Sequence, residues 1–120
     1  ATGGGLIRLP KRMPYHLAME LALTGEMVSV EHFYKHGIVN KLVDPGNALD
    51  AAITFANRIL ENGPTALRAS KQIIQRTFDW SEEEAWNRQM DYAKAAVESE
   101  DYNEGLRAFK EKRKPVWTGK

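Results

Sequence analysis

Stop signals divide this chain into segments that only short helices fill well. Gly25, Gly37, Asp44-Pro45-Gly46, Asn62-Gly63-Pro64 and Pro115 each break the apolar periodicity. Between the breaks the spacing is helical. Pro14 suits a first helical position, where its missing N–H would be unpaired anyway. Leu17, Leu21, Ala18 and Ala22 then repeat along one side up to Gly25. Ser29 caps a short helix from Val30 to His36 that stops at Gly37. A longer helix runs from Ala48 to Glu61, with Leu49, Ile53, Ala56 and Leu60 marking its buried face. The next carries Leu67, Ile73, Ile74 and Phe78. "SEEE" at 81–84 is a capping box: the Ser81 hydroxyl meets the Glu84 N–H while Glu84 reaches back. The helix it opens runs to about Glu98, with Ala85, Met90, Ala93 and Val97 inward. Ser99 or Asp101 caps a last helix that carries Tyr102, Leu106 and Phe109 on one side. "KRKPVWTGK" is a tail, because Pro115 resists helix continuation.

One stretch departs from this pattern. In "GIVNKLVDPGN", Ile38, Val39, Leu42 and Val43 form a β-prone run closed by a turn. The chain is therefore read as mostly α with one short strand. A single strand makes no sheet, so this one calls for pairing with chain outside these 120 residues.

Composition fits a small globular unit: 42% hydrophobic, 28% charged and a net charge of +1. That charge predicts neither nucleic-acid nor membrane partners. There is no cysteine, hence no disulfide or thiolate chemistry. No apolar run is long enough to span a bilayer. The expected location is cytoplasmic, or mitochondrial in a eukaryote.

The glycines at 3–5 set the functional question. A phosphate-binding loop would need a strand before them and a helix directly after them. The first helix reads as starting only near Pro14, and no Lys-Ser/Thr pair comes after the glycines. The chain continues instead with Arg8-Leu9-Pro10, Leu23-Thr24-Gly25, Ser29 and Gly37-Ile38-Val39-Asn40. Near the other end come Ser99, Asp101, Glu104-Gly105, Ala108-Phe109 and Glu111-Lys112-Arg113. In this order and spacing the motifs resemble the enoyl-CoA hydratase/isomerase (crotonase) superfamily, along essentially the whole chain.

The resemblance implies the end of a ββα spiral in residues 1–46 and, in 47–120, helices for packing and assembly into a trimer or hexamer. It implies the C-terminal segment of an enzyme that hydrates 2-enoyl-CoA thioesters in fatty-acid metabolism. On that reading the oxyanion-hole amides and catalytic carboxylates precede the chain, which is inactive alone. No catalytic residue and no cofactor is assigned within it, coenzyme A being part of the substrate. Thr2, Gly3 and Gly4 would lie against the thioester region; Thr2 stands where relatives often have glycine. Phe109 and Lys112 would meet the CoA nucleotide, an aromatic face on the adenine pocket and an ammonium on a phosphate. The plain alternative makes Phe109 core and Lys112 solvated. An isomerase, another member of the superfamily, or a non-catalytic helical interaction module remain open.

Other residues carry weaker signals. Glu20 and Glu26 come closest after the glycine turn and read as surface carboxylates, Glu20 partly buried among Met19, Leu21 and Leu23. His32 and His36 have metal-compatible i, i+4 spacing, but no third ligand is evident. Trp80 and Trp86 flank the capping box and read as packing anchors. "KEKRK" at 110–114 reads as a solvated helix end, apart from Lys112.

Overall fold

The computed structural model describes residues 3–120, and all regular structure among them is helical. The helices are α1 (Gly5–Arg8), α2 (Tyr15–Thr24), α3 (Val30–Lys35), α4 (Ala48–Leu60), α5 (Pro64–Arg76), α6 (Glu82–Val97) and α7 (Glu100–Glu111). Single 3-10 turns come after α1 (Leu9–Lys11) and α5 (Thr77–Asp79). The chain forms two compact units, Ala1–Leu49 and Asp50–Lys120.

In the first unit, α1 starts directly on the glycines, earlier than the periodicity predicts. A single turn that opens on Gly5 and runs into Pro10 leaves no apolar repeat to read. The 3-10 turn after it packs on α2, whose Ala18 is buried, as is Met13. The Ser29 hydroxyl caps α3 by accepting from the His32 N–H at 3.3 Å.

The segment expected to be a strand is not one: residues 37–44 are turn, bend and irregular backbone. Its first amides are taken by α3. Gly37 has φ 75°, its N–H donates to the Tyr34 carbonyl at 3.1 Å, and the Ile38 N–H donates to the Phe33 carbonyl at 2.9 Å. That pair of bonds is a Schellman cap, which glycine enters without strain. Strand propensity in Ile38–Val43 means little without a neighbouring strand to bond.

In the second unit, α5, α6 and α7 pack on one another. Pro64 opens α5 at its first turn, and the Ser81–Glu84 capping box forms in both directions. Ser99, rather than Asp101, caps α7: its hydroxyl accepts from the Tyr102 N–H at 3.0 Å. Ala69 and Ala108 are buried, and so are Ser99, Asp101 and Glu104.

The apolar stripes lie where the periodicity puts them, but several are uncovered. On α4, expected to bury its stripe, Leu49 is 70% and Leu60 69% exposed, and no residue of the helix is buried. Met90 and Val97 of α6, and Tyr102 and Leu106 of α7, are also exposed. Periodicity reports which side of a helix is apolar; a neighbouring surface decides whether that side is buried.

Candidate functional site

Two places carry the residues singled out from the sequence, one in each unit. Thr2 lies outside the described residues. In the first unit Gly3 and Gly4 have φ 88° and 85°, a conformation that side-chain-bearing residues rarely adopt. A Cβ at Gly3 would meet nothing within 4 Å, and one at Gly4 would lie 3.6 Å from the Arg8 guanidinium. Conformation, then, rather than crowding within this chain, selects glycine here. The Gly4 carbonyl closes the first turn of α1, accepting from the Ile7 and Arg8 N–H groups at 3.2 and 3.0 Å.

Two apolar hollows flank this turn. One, about 430 Å³, is lined by Gly5, Leu6, Leu21, Met27 and Phe33, with the exposed Glu26 at its edge. The other, about 460 Å³, lies among Leu6, Pro10, Tyr15, Met19 and Leu23. Glu20 is exposed, contrary to the expectation of partial burial.

The histidines of this unit form a local cluster. The His32 and His36 rings are 4.6 Å apart, and the buried His32 Nε2 has no hydrogen-bond partner. His36 is held below the usual histidine range, chiefly by desolvation and then by His32, Lys35 and His16. Among the described residues, no group of three His, Asp or Glu side chains is arranged to hold a metal ion.

The second place is the end of α7 and the tail that folds back on it. Phe109 is 87% exposed, so it is not a core residue. Lys112 stands one turn later with φ 52°, the one positive-φ residue other than glycine among the described residues. It ends α7 as Gly37 ends α3: the Lys112 N–H donates to the Phe109 carbonyl at 3.2 Å, and the Arg113 N–H to the Ala108 carbonyl at 3.0 Å. A lysine in this conformation carries strain that glycine would not. Its ammonium has no ion-pair partner among the described residues.

Two buried carboxylates, to which the spacing of motifs assigned no such task, hold the tail. Glu104 accepts from Arg107 at 2.6 Å, from Arg113 at 2.5 Å and from the Val116 N–H at 2.9 Å. These bonds, led by Arg113, hold its carboxyl far below the usual carboxylate range and push Arg113 up. Asp101 accepts from the Thr118 and Gly119 N–H groups at 2.7 and 3.0 Å and from the Thr118 hydroxyl at 3.2 Å. The Trp117 indole N–H donates to the Glu61 carbonyl at 3.0 Å. A Cβ on Gly63 or Gly105 would come within 3.5 or 3.4 Å of the Trp117 ring. The signal for this clasp is present in the sequence as Asp101, Glu104-Gly105, Arg113 and Trp117. Spacing along the chain shows the first four as parts of a motif and Trp117 as part of a tail, and none of them as mutual contacts. Trp80 does anchor packing, with its ring 5.6 Å from that of Tyr92, whereas Trp86 is exposed.

With this geometry in place, the likeness to known proteins is decisive. The enoyl-CoA hydratase/isomerase family model matches residues 1–120. The chain belongs to that family. The carnitinyl-CoA dehydratase of Salmonella arizonae is 36% identical over 120 residues, which are 97% of this chain and 46% of that protein. An enoyl-CoA hydratase structure from Mycobacterium tuberculosis superposes with a TM-score of 0.94 at 48% identity, covering 98% of this chain and 46% of that one. One from Mycobacterium marinum gives 0.96 at 50% identity, covering 100% and 48%. The chain spans about half the length of the relatives it matches.

These matches correct one expectation. The resemblance in the motifs implies the C-terminal segment of a hydratase-like enzyme, the catalytic groups lying ahead of it. The family match covers the entire chain and roughly half of each relative. The C-terminal assignment finds no support there and is withdrawn. The crotonase fold of the neighbours stands. No helix among the described residues is long and apolar enough to cross a membrane.

Proposed function

We propose that the protein acts on acyl-CoA thioesters in hydratase or dehydratase chemistry, and that the end of α7 serves the CoA portion. One observation carries the binding part of this reading. An almost fully exposed Phe109 stands one turn before a strained Lys112 whose charge has no partner among the described residues. An exposed aromatic face and an unpaired ammonium suit adenine and phosphate respectively. The glycine turn and its apolar hollows suit a thioester and its acyl chain, which need backbone approach and apolar lining. The names of the relatives, an enoyl-CoA hydratase and a carnitinyl-CoA dehydratase, support the reaction class. Within the 120 residues, the buried carboxylates Asp101 and Glu104 are committed to backbone and arginine partners. The chain alone is proposed to bind without turnover.

Assembly is part of the same reading. The uncovered stripes of α4 and α7 are suited to helix packing between copies in a trimer or hexamer. Calorimetric titration with coenzyme A tests the binding part. Lys112→Ala is expected to weaken binding about tenfold, as for a lost hydrogen bond to a charged group. Unchanged affinity in both Lys112→Ala and Phe109→Ala overturns it. Turnover of a 2-enoyl-CoA by the 120 residues alone refutes the inactivity, and a monomer in sedimentation equilibrium refutes the assembly.

A further inference from the structure

The clasp around Lys112 is more elaborate than a helix end requires. The Arg113 guanidinium bonds to Glu111 at 2.6 Å, just before Lys112, and to the Lys114 carbonyl at 3.0 Å, just after it. The same guanidinium reaches Glu104, two turns back along α7. Glu104 also takes the Val116 N–H, so it fixes the chain on the far side of the turn. The Glu104 carboxylate is only 8% exposed. Buried hydrogen bonds between full charges are strong and directional. A left-handed lysine persists where its surroundings over-determine it, and such strain gathers at functional positions.

The structure assigns Glu104 as a positioning residue: through Arg113 and the Val116 amide it locks the Lys112 backbone so that the ammonium is presented in one place to a phosphate of coenzyme A. This deepens the proposed function and rests on its placement of Lys112 at the CoA nucleotide. Glu104 itself does not contact the ligand. Its effect is to spare the ligand the cost of ordering a flexible lysine at a chain turn.

A double-mutant cycle on the protein, read by calorimetric titration with coenzyme A, tests this. Glu104→Gln keeps the shape of the side chain and removes its charge. It is expected to weaken coenzyme A binding roughly fivefold when Lys112 is present and not at all in a Lys112→Ala background. Circular dichroism checks that helix content is kept. If Glu104→Gln does not fold, Arg113→Gln carries the same expectation, because Glu104 then retains Arg107 and the Val116 N–H. An equal loss in both backgrounds would mark a general structural effect and overturn the assignment. So would no loss in either while the parent protein still binds. Absence of coenzyme A binding by the parent protein refutes the underlying functional reading as well, a different result from the other two.

Discussion

Replacing Lys112 with glycine should make the protein more stable and a weaker binder of coenzyme A. Lys112 sits at φ 52° as the left-handed residue of a Schellman cap. For a residue with a Cβ that conformation costs roughly 1–2 kcal/mol. Glycine removes the cost but gains freedom in the unfolded chain, which returns about 0.4–1 kcal/mol. The net expectation is a gain of about 0.5–1 kcal/mol, or a rise in melting temperature of about 2–5 °C for a chain of this size. The cap bonds survive, because both are made by backbone atoms. Thermal melting followed by circular dichroism reads the first effect, and coenzyme A titration the second. Opposite signs are the signature of strain retained at a functional position. A melting temperature that falls, or stays put, would show that the lysine side chain makes stabilising contacts of its own, and the strain argument would fail.

The remaining predictions concern the clasp and the caps. Glu104 has its folded pKa depressed, so its contribution to stability is present above the unfolded carboxylate range and is lost as pH falls through the folded value. Glu104→Gln should accordingly flatten the acid limb of a stability-versus-pH curve, and an unchanged limb would show that the folded protein does not hold the Glu104 carboxyl below its usual range. Asp101→Ala leaves the Thr118 and Gly119 amides without their acceptor. It should cost about 1–3 kcal/mol and speed hydrogen exchange at both amides. Ser81→Ala removes the hydroxyl that caps α6. A loss of about 1 kcal/mol in urea unfolding is expected, and none would mean that the box contributes nothing.

Local chemistry is legible wherever it closes on itself within a few residues. The Ser29, Ser81 and Ser99 caps and the stops at Gly25, Gly37 and Pro64 all form near the positions that the sequence indicates. The serine caps join a side chain to an amide one turn on, and the glycine stops join backbone groups one turn apart, so no distant partner has to be known. The β-prone run fails for the opposite reason. Ile38 and Val39 have strand propensity, but their amides go to the Phe33 carbonyl one turn back. On α4 the apolar stripe is present and its expected burial is not, since burial belongs to a pair of surfaces.

The sequence alone determined the approximate ends of α2 to α7, the caps and the family, because these are written in neighbouring residues and their spacing. Tertiary structure decided what becomes of the side chains. It turned Asp101 and Glu104 into a buried clasp for the tail, and it brought Trp117 against Gly63 and Gly105. It also set a lysine where glycine is the usual choice. Those outcomes depend on contacts across 9 to 56 positions of sequence, whose entropy of closure is met only when several form together.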